Sequence, residues 1–155
     1  MKSDIFLTRR SLLGAALLSA ALPHSALAQA QLSREPDMKS MRIEIAFSNH
    51  VFTVTLYDNP SARELVSMLP LDLTTDDYST NEKIAYLPRK LTEEGSGPFR
   101  NEAPGDLCYF APWGNLAFFH GGYSYSRGLI RLGRLDHGFE PLLTRGKFPM
   151  RITRL

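Results

Sequence analysis

Few residues in this chain have the types and spacing that chemistry needs, and most stand in one run, "APWGNLAFFHGGYSYS", from Ala111 to Ser126. His120 could be a metal ligand or a general base. It has no second His, no Cys and no carboxylate at ligand spacing nearby, so an edge-of-strand imidazole bonded to backbone describes it more simply. The single cysteine, Cys108, lies between Leu107 and Tyr109 in an apolar run. With no His or Asn at a thiol-protease spacing, it reads as a small buried hydrophobe. The hydroxyls of "SYSRGL" beside Arg127 have the chemistry to bind a carboxylate, although a solvated loop is the plainer description. "GGYSYSRG" lacks the spacing of a phosphate loop between a strand and a helix. His50 in a hairpin turn and His137 beside Gly138 read as solvated. No metal site and no cofactor follow from these residues. What remains is aromatic: Trp113 in a Pro-Trp-Gly turn, to stack on a ligand or to lie as a lid over a barrel end, and Phe118 and Phe119, which point to opposite faces of a strand.

The elements that must position these residues are mostly strands. "MRIEIAF" sets Met41, Ile43, Ile45 and Phe47 on one face, and "VFTVTLY" does the same with Phe52, Val54 and Leu56. With "SNH" between them, residues 41–57 form a hairpin. "DNPSARELVSMLP" is a helix capped by Asp58 or Asn59, with Pro60 in its first turn. Its apolar residues Ala62, Leu65, Val66 and Leu69 recur at helical spacing, and Pro70 ends it. Short alternations near Leu71–Leu73 and Ile84–Leu87 precede a long polar connection, "TEEGSGPFRNEAPGD". "DLCYFAP", "NLAFFH", "GLIRLGRL" and "FPMRITRL" are further strands, and "HGFEPLL" is a helical turn. Seven or eight strands with one good helix in about 115 residues indicate a closed barrel or a sandwich.

The first thirty residues read as an export signal. Arg9 and Arg10 precede an Ala/Leu-rich stretch from Ser11 to Leu22, and "ALA" or "AQA" permits cleavage after Ala28 or Ala30. The stretch is too short and too small in its side chains to span a bilayer stably, although a retained N-terminal anchor is the alternative. The Arg pair resembles the twin-arginine signal of bacteria. Residues 31–40 are a polar leader, and 41–155 the folded domain, periplasmic or secreted. Removing Lys2, Arg9, Arg10 and Asp4 takes three of the 18 basic and one of the 16 acidic residues, leaving 15 of each. A balanced domain carries no electrostatic case for nucleic acid or for an anionic membrane surface, and no membrane span is expected after cleavage. One cysteine permits no internal disulfide, so the domain depends on its core.

"IEIAFSNHVFTVTLYDNPSARELVSMLP" resembles the opening hairpin and helix of the cyclophilin fold. "APGDLCYFAPWGNLAFFH" is similar to its Pro-Gly and Phe-Phe strands, and "GLIRLGRL" to the strand that follows. The match covers 41–70 and 103–136 in order, and "PWGNLA" and "GLIRLGRL" are similar to phrases of the small bacterial cyclophilin-like proteins. The resemblance implies a mainly β fold: a closed antiparallel barrel of about eight strands with one or two capping helices. It also implies a groove for a proline-containing peptide or small ligand. Cyclophilins accelerate X-Pro rotation, across a barrier of about 20 kcal/mol, with a guanidinium beside the prolyl nitrogen and an apolar pocket for the ring.

Carried over residue by residue, the family's pocket Phe falls on Phe119. Its Trp falls near Ser124 or Tyr125, and its His on Leu129, so both are lost. Its Arg and Gln-Gly-Gly strand has no match in "EKIAYLPRKLTEEGSG". The expectation is therefore a binding groove near Phe119, with Trp113, His120, Tyr86 and Tyr123 as candidate ligand-binding residues and Phe118 in the core. The alternative is a divergent peptidyl-prolyl isomerase using Arg89 or Arg127. The oligomeric state is open.

Overall fold

The computed structural model describes residues 41–155, so the export segment and the polar leader lie outside the described residues. Eight strands close into one antiparallel barrel in the order β1-β2-β7-β5-β6-β4-β3-β8. They are β1 (Arg42–Phe47), β2 (His50–Leu56), β3 (Leu71–Tyr78), β4 (Glu82–Tyr86), β5 (Asp106–Phe110), β6 (Asn115–Phe119), β7 (Leu129–Leu135) and β8 (Phe148–Arg154). One helix, α1 (Pro60–Ser67), follows the first hairpin, and a 3₁₀ turn covers Glu140–Leu143. No described helix is long and apolar enough to cross a membrane.

Alternation dictates the interior. Ile43, Ile45 and Phe47 from β1 meet Phe52, Val54 and Leu56 from β2, all buried, and Leu116, Phe118, Leu132, Met150 and Ile152 complete the core. The β1–β2 turn is tighter than the three residues expected from "SNH". His50 already pairs with Phe47, which leaves Ser48 and Asn49, with Ser48 at φ 52°. His50 is only partly exposed, and its Nε2 lies 2.7 Å from Thr144 Oγ1.

The cap of α1 is Asn59, whose Oδ1 accepts from Ala62 N at 2.9 Å while its Nδ2 donates to Arg131 O on β7. Ala62 and Leu65 then point into the core. Gly133 is where β7 passes closest to β2. A Cβ there would stand 2.4 Å from Thr55 O and 2.9 Å from Leu56 Cα, so only glycine fits.

Two strands run longer, or begin earlier, than the alternations near Leu71–Leu73 and Ile84–Leu87 indicate. β3 spans eight residues and β4 starts at Glu82. The cause is a polar interior at this end of the barrel. Thr75 and Lys83 are fully buried, and Lys83 Nζ is held by Asp77 Oδ1 at 2.7 Å. The Lys83 ammonium also lies between the rings of Phe47 and Phe148, 5.6 and 5.7 Å from their centroids. Burial raises the Asp77 pKa, but the Lys83 and Gly146 N–H bonds and the nearby cations outweigh it and hold the group below the usual carboxylate range.

Candidate groove on the outer wall of the barrel

In β6 every residue is buried, on both faces. Leu116 and Phe118 point inward, whereas Asn115, Ala117 and Phe119 face out toward a second apolar cluster of Cys108, Phe119 and Leu129, joined by Phe99, Tyr123 and Tyr125 from the covering loops. Phe118 thus lies in the core and Phe119 on the outer face. Pairing extends this outer face sideways. Glu82 lies opposite Phe119, Ile84 opposite Ala117, and Tyr78 opposite Glu82. On the other side Cys108 pairs with Ala117 and Phe110 with Asn115.

The result is a groove of about 400 Å³. It lies over Ile84 and Ala117, with Phe119 at the end that Tyr123 covers. The contacting rings of Tyr78, Trp113 and Phe110 form an aromatic wall, and Tyr123, Ser124 and Ser126 of the following loop complete the lining. Trp113 is 48% exposed and meets both wall neighbours edge-on, with ring centroids 5.3 Å from Tyr78 and 5.5 Å from Phe110. Tyr123 stacks flat on Phe119 at 3.7 Å and 6°, so the Phe119 ring is buried beneath it.

Tyr123 is fixed by a fully buried carboxylate. Its hydroxyl donates to Asp106 Oδ2 at 2.7 Å, and Asp106 also accepts from Ala103 N, Arg131 and Arg134. Burial raises the Asp106 pKa, yet the donors from Tyr123, Ala103 and Arg134, with the Arg134 charge, together hold it below the ordinary value. Burial, with Cys108 and Asp106 adjacent, pushes the Tyr123 hydroxyl upward, so it stays protonated. Cys108 is pushed up to about 12, chiefly by burial, which leaves an inert thiol.

Among the described residues, two polar groups in the groove have no partner to balance them. Glu82 is half-buried and makes no ion pair among the described residues, and burial raises its carboxyl to about 7. Asn115 is 2% exposed. Its Nδ2 donates to Leu116 O at 3.0 Å, which fixes the amide orientation, and its Oδ1 is left without a donor.

The expected site residues separate. Phe119, Trp113 and Tyr123 come together in the groove. Tyr86 lines a neighbouring depression with Asp72 and Leu87. His120 is buried, its backbone N–H bonded to Asn81 O, and it does not line the groove. Burial and the Arg145 and Lys83 charges lower its pKa, which keeps the ring neutral. Arg89 Nη1 is bound to Glu64 on α1, where Glu64 also receives Thr92 N. Arg127 is exposed and is absent from the groove lining. Tyr78, Glu82 and Asn115 carry no signal in the sequence, because only the pairing of β4 with distant β6 brings Glu82 and its β3 neighbour Tyr78 onto one face with Asn115.

The family model of the cyclophilin-like family matches residues 45–153. This chain belongs to the cyclophilin-like family. The solution structure of a hypothetical protein from Archaeoglobus fulgidus shares this cyclophilin-like fold. It has a TM-score of 0.61 at 20% identity, covering 75% of this chain and 95% of that one. No match was found among curated proteins.

Proposed function

We propose that this cyclophilin-like domain is an exported binding protein that holds a small ligand or short peptide in the outer-wall groove without catalysing prolyl isomerisation. The observation that carries this reading is the groove itself, an aromatic cleft of about 400 Å³ whose lining, among the described residues, includes no Lys or Arg. A cleft of that size with a few placed polar atoms suits a small ligand. Prolyl isomerisation in this family needs a guanidinium at the groove and an accessible apolar floor. Here Arg89 is engaged by Glu64, and Tyr123 lies over Phe119. Export rests on the Arg9–Arg10 pair and the Ala/Leu-rich stretch after it.

A protease-coupled assay on an Ala-Ala-Pro-Phe anilide tests the non-catalytic reading. No acceleration above the uncatalysed rate is expected at micromolar protein. Acceleration abolished by Arg89→Ala or Arg127→Ala would establish the isomerase alternative instead.

A further inference from the structure

We propose that the groove selects an elongate organic amine, with an ammonium bound by Glu82 at one end, a second N–H donor taken by Asn115 Oδ1 at the other, and an apolar body on the wall between them. The inference rests on the binding reading above and names its ligand class. The two acceptors are set by strand register. Glu82 lies opposite Phe119 and Tyr86 opposite Asn115, so their backbones are four residues apart along β6, about 13 Å. The aromatic wall bridges that span: Tyr78 pairs with Glu82 and touches Trp113, Trp113 touches Phe110, and Phe110 pairs with Asn115.

The chemistry of the ends is one-sided. Asn115 belongs to the groove lining, and its Oδ1 is a buried acceptor with no donor among the described residues, a condition that a native interior rarely leaves uncorrected. Glu82 is an acid with no cation beside it. An anionic ligand would meet two acceptors and no positive charge in the lining, whereas an N–H donor satisfies both, and the ring faces of the wall favour a cation.

The groups around Glu82 leave it as the charge that titrates. From β3, Tyr78 faces it, and Asp77 turns the other way to Lys83. Just past β6, His120 lies on the side of Lys83 and Arg145. From β5, Cys108 stands near as a thiol, and Asp106 beside Cys108 is neutralised by Arg131 and Arg134. From the covering loop, Tyr123 keeps its proton. Since Glu82 titrates near 7 in the free protein, amine affinity rises as the carboxyl ionises, roughly tenfold from pH 6 to pH 8.

The test titrates the full chain with 1,8-diaminooctane, octylamine, 1-octanol and octanoate, followed by the fluorescence of Trp113, the only tryptophan. The diamine is expected to bind at least tenfold more tightly than octanol, octylamine to fall between, and octanoate to be weakest. In Glu82→Gln the amine-to-alcohol ratio should collapse to within about threefold, a change that a general loss of packing would not produce. Equal binding of all four probes overturns the amine inference and leaves the groove reading intact. Tightest binding by octanoate, or a diamine no better than octylamine, also overturns the inference. Binding by none of them overturns both.

Discussion

The carboxylate that anchors the groove roof gives the sharpest stability experiment. Asp106 is fully buried and takes four donors: the Tyr123 hydroxyl at 2.7 Å, Arg134 Nε at 2.9 Å, Ala103 N at 3.1 Å and Arg131 Nη1 at 3.3 Å. Asp106→Asn keeps the shape, removes the charge and turns one acceptor oxygen into a donor facing other donors. Removing one partner of a fully buried pair costs about 3–5 kcal/mol. Arg134 is 46% exposed and Arg131 18% exposed, so both recover part of that from water. The expected loss is therefore roughly 2–3 kcal/mol at pH 7, or roughly 10 °C in Tm for a domain of this size.

The pH dependence carries the sign. The folded pKa of Asp106 is lowered, so its stabilisation is complete above the unfolded value of about 3.9 and is lost as pH falls through the folded value. Asp77, Asp136 and Glu64 also lose stabilisation in acid, but they are common to both proteins and cancel in the difference. Urea denaturation of both proteins at pH 7, 5 and 3 measures this difference. It should be full at pH 7 and 5 and shrink at pH 3. A gap below about 0.5 kcal/mol at pH 7, or one that stays constant into acid, would refute the assignment of Asp106 as an ionised hub.

Other outcomes follow from single contacts. Glu82→Gln should raise Tm at pH 8 and leave it unchanged at pH 4. Burial has lifted the folded pKa above the unfolded one, so ionising Glu82 works against folding as pH rises; equal Tm values at pH 8 would contradict this. Gly133→Ala should lower stability by about 2 kcal/mol or more, because its Cβ meets the backbone of β2 rather than a movable side chain; a neutral result in chemical denaturation would contradict the close approach. Phe118→Ala should cost about 3–5 kcal/mol as a core deletion, read by the same denaturation experiment.

How much of this was legible in the residues depended on which way polar groups point. β1, β2 and α1 are legible because their buried faces are almost wholly apolar, as at Ile43, Ile45 and Leu65, with Ser61 the buried polar residue of α1. β3 and β4 were cut short because their inward positions include Thr75, Asp77 and Lys83, which break an apolar alternation while the partners that neutralise them lie elsewhere in the chain. In β4 the apolar Ile84 even faces the groove while Lys83 goes inside. Phe119 lies on the outer face of β6, and nothing local in the sequence indicates that Tyr123 lies flat upon it. Glu82 and Asn115 look ordinary in the sequence. Only their burial, and the donors and cations they lack, marks them.

The central claim is that the groove on the outer face of β4 and β6 is a binding site. Amide and indole NMR spectra of the isotope-labelled full chain, recorded while 1,8-diaminooctane is added, test it most directly. The account predicts saturable shifts confined to the Trp113 indole, Tyr78, Glu82 and the outer face of β6, with α1 and the Arg89–Glu64 contact unmoved. Shifts centred on α1 or on the depression beside Tyr86, or no saturable shift at millimolar diamine, would contradict it.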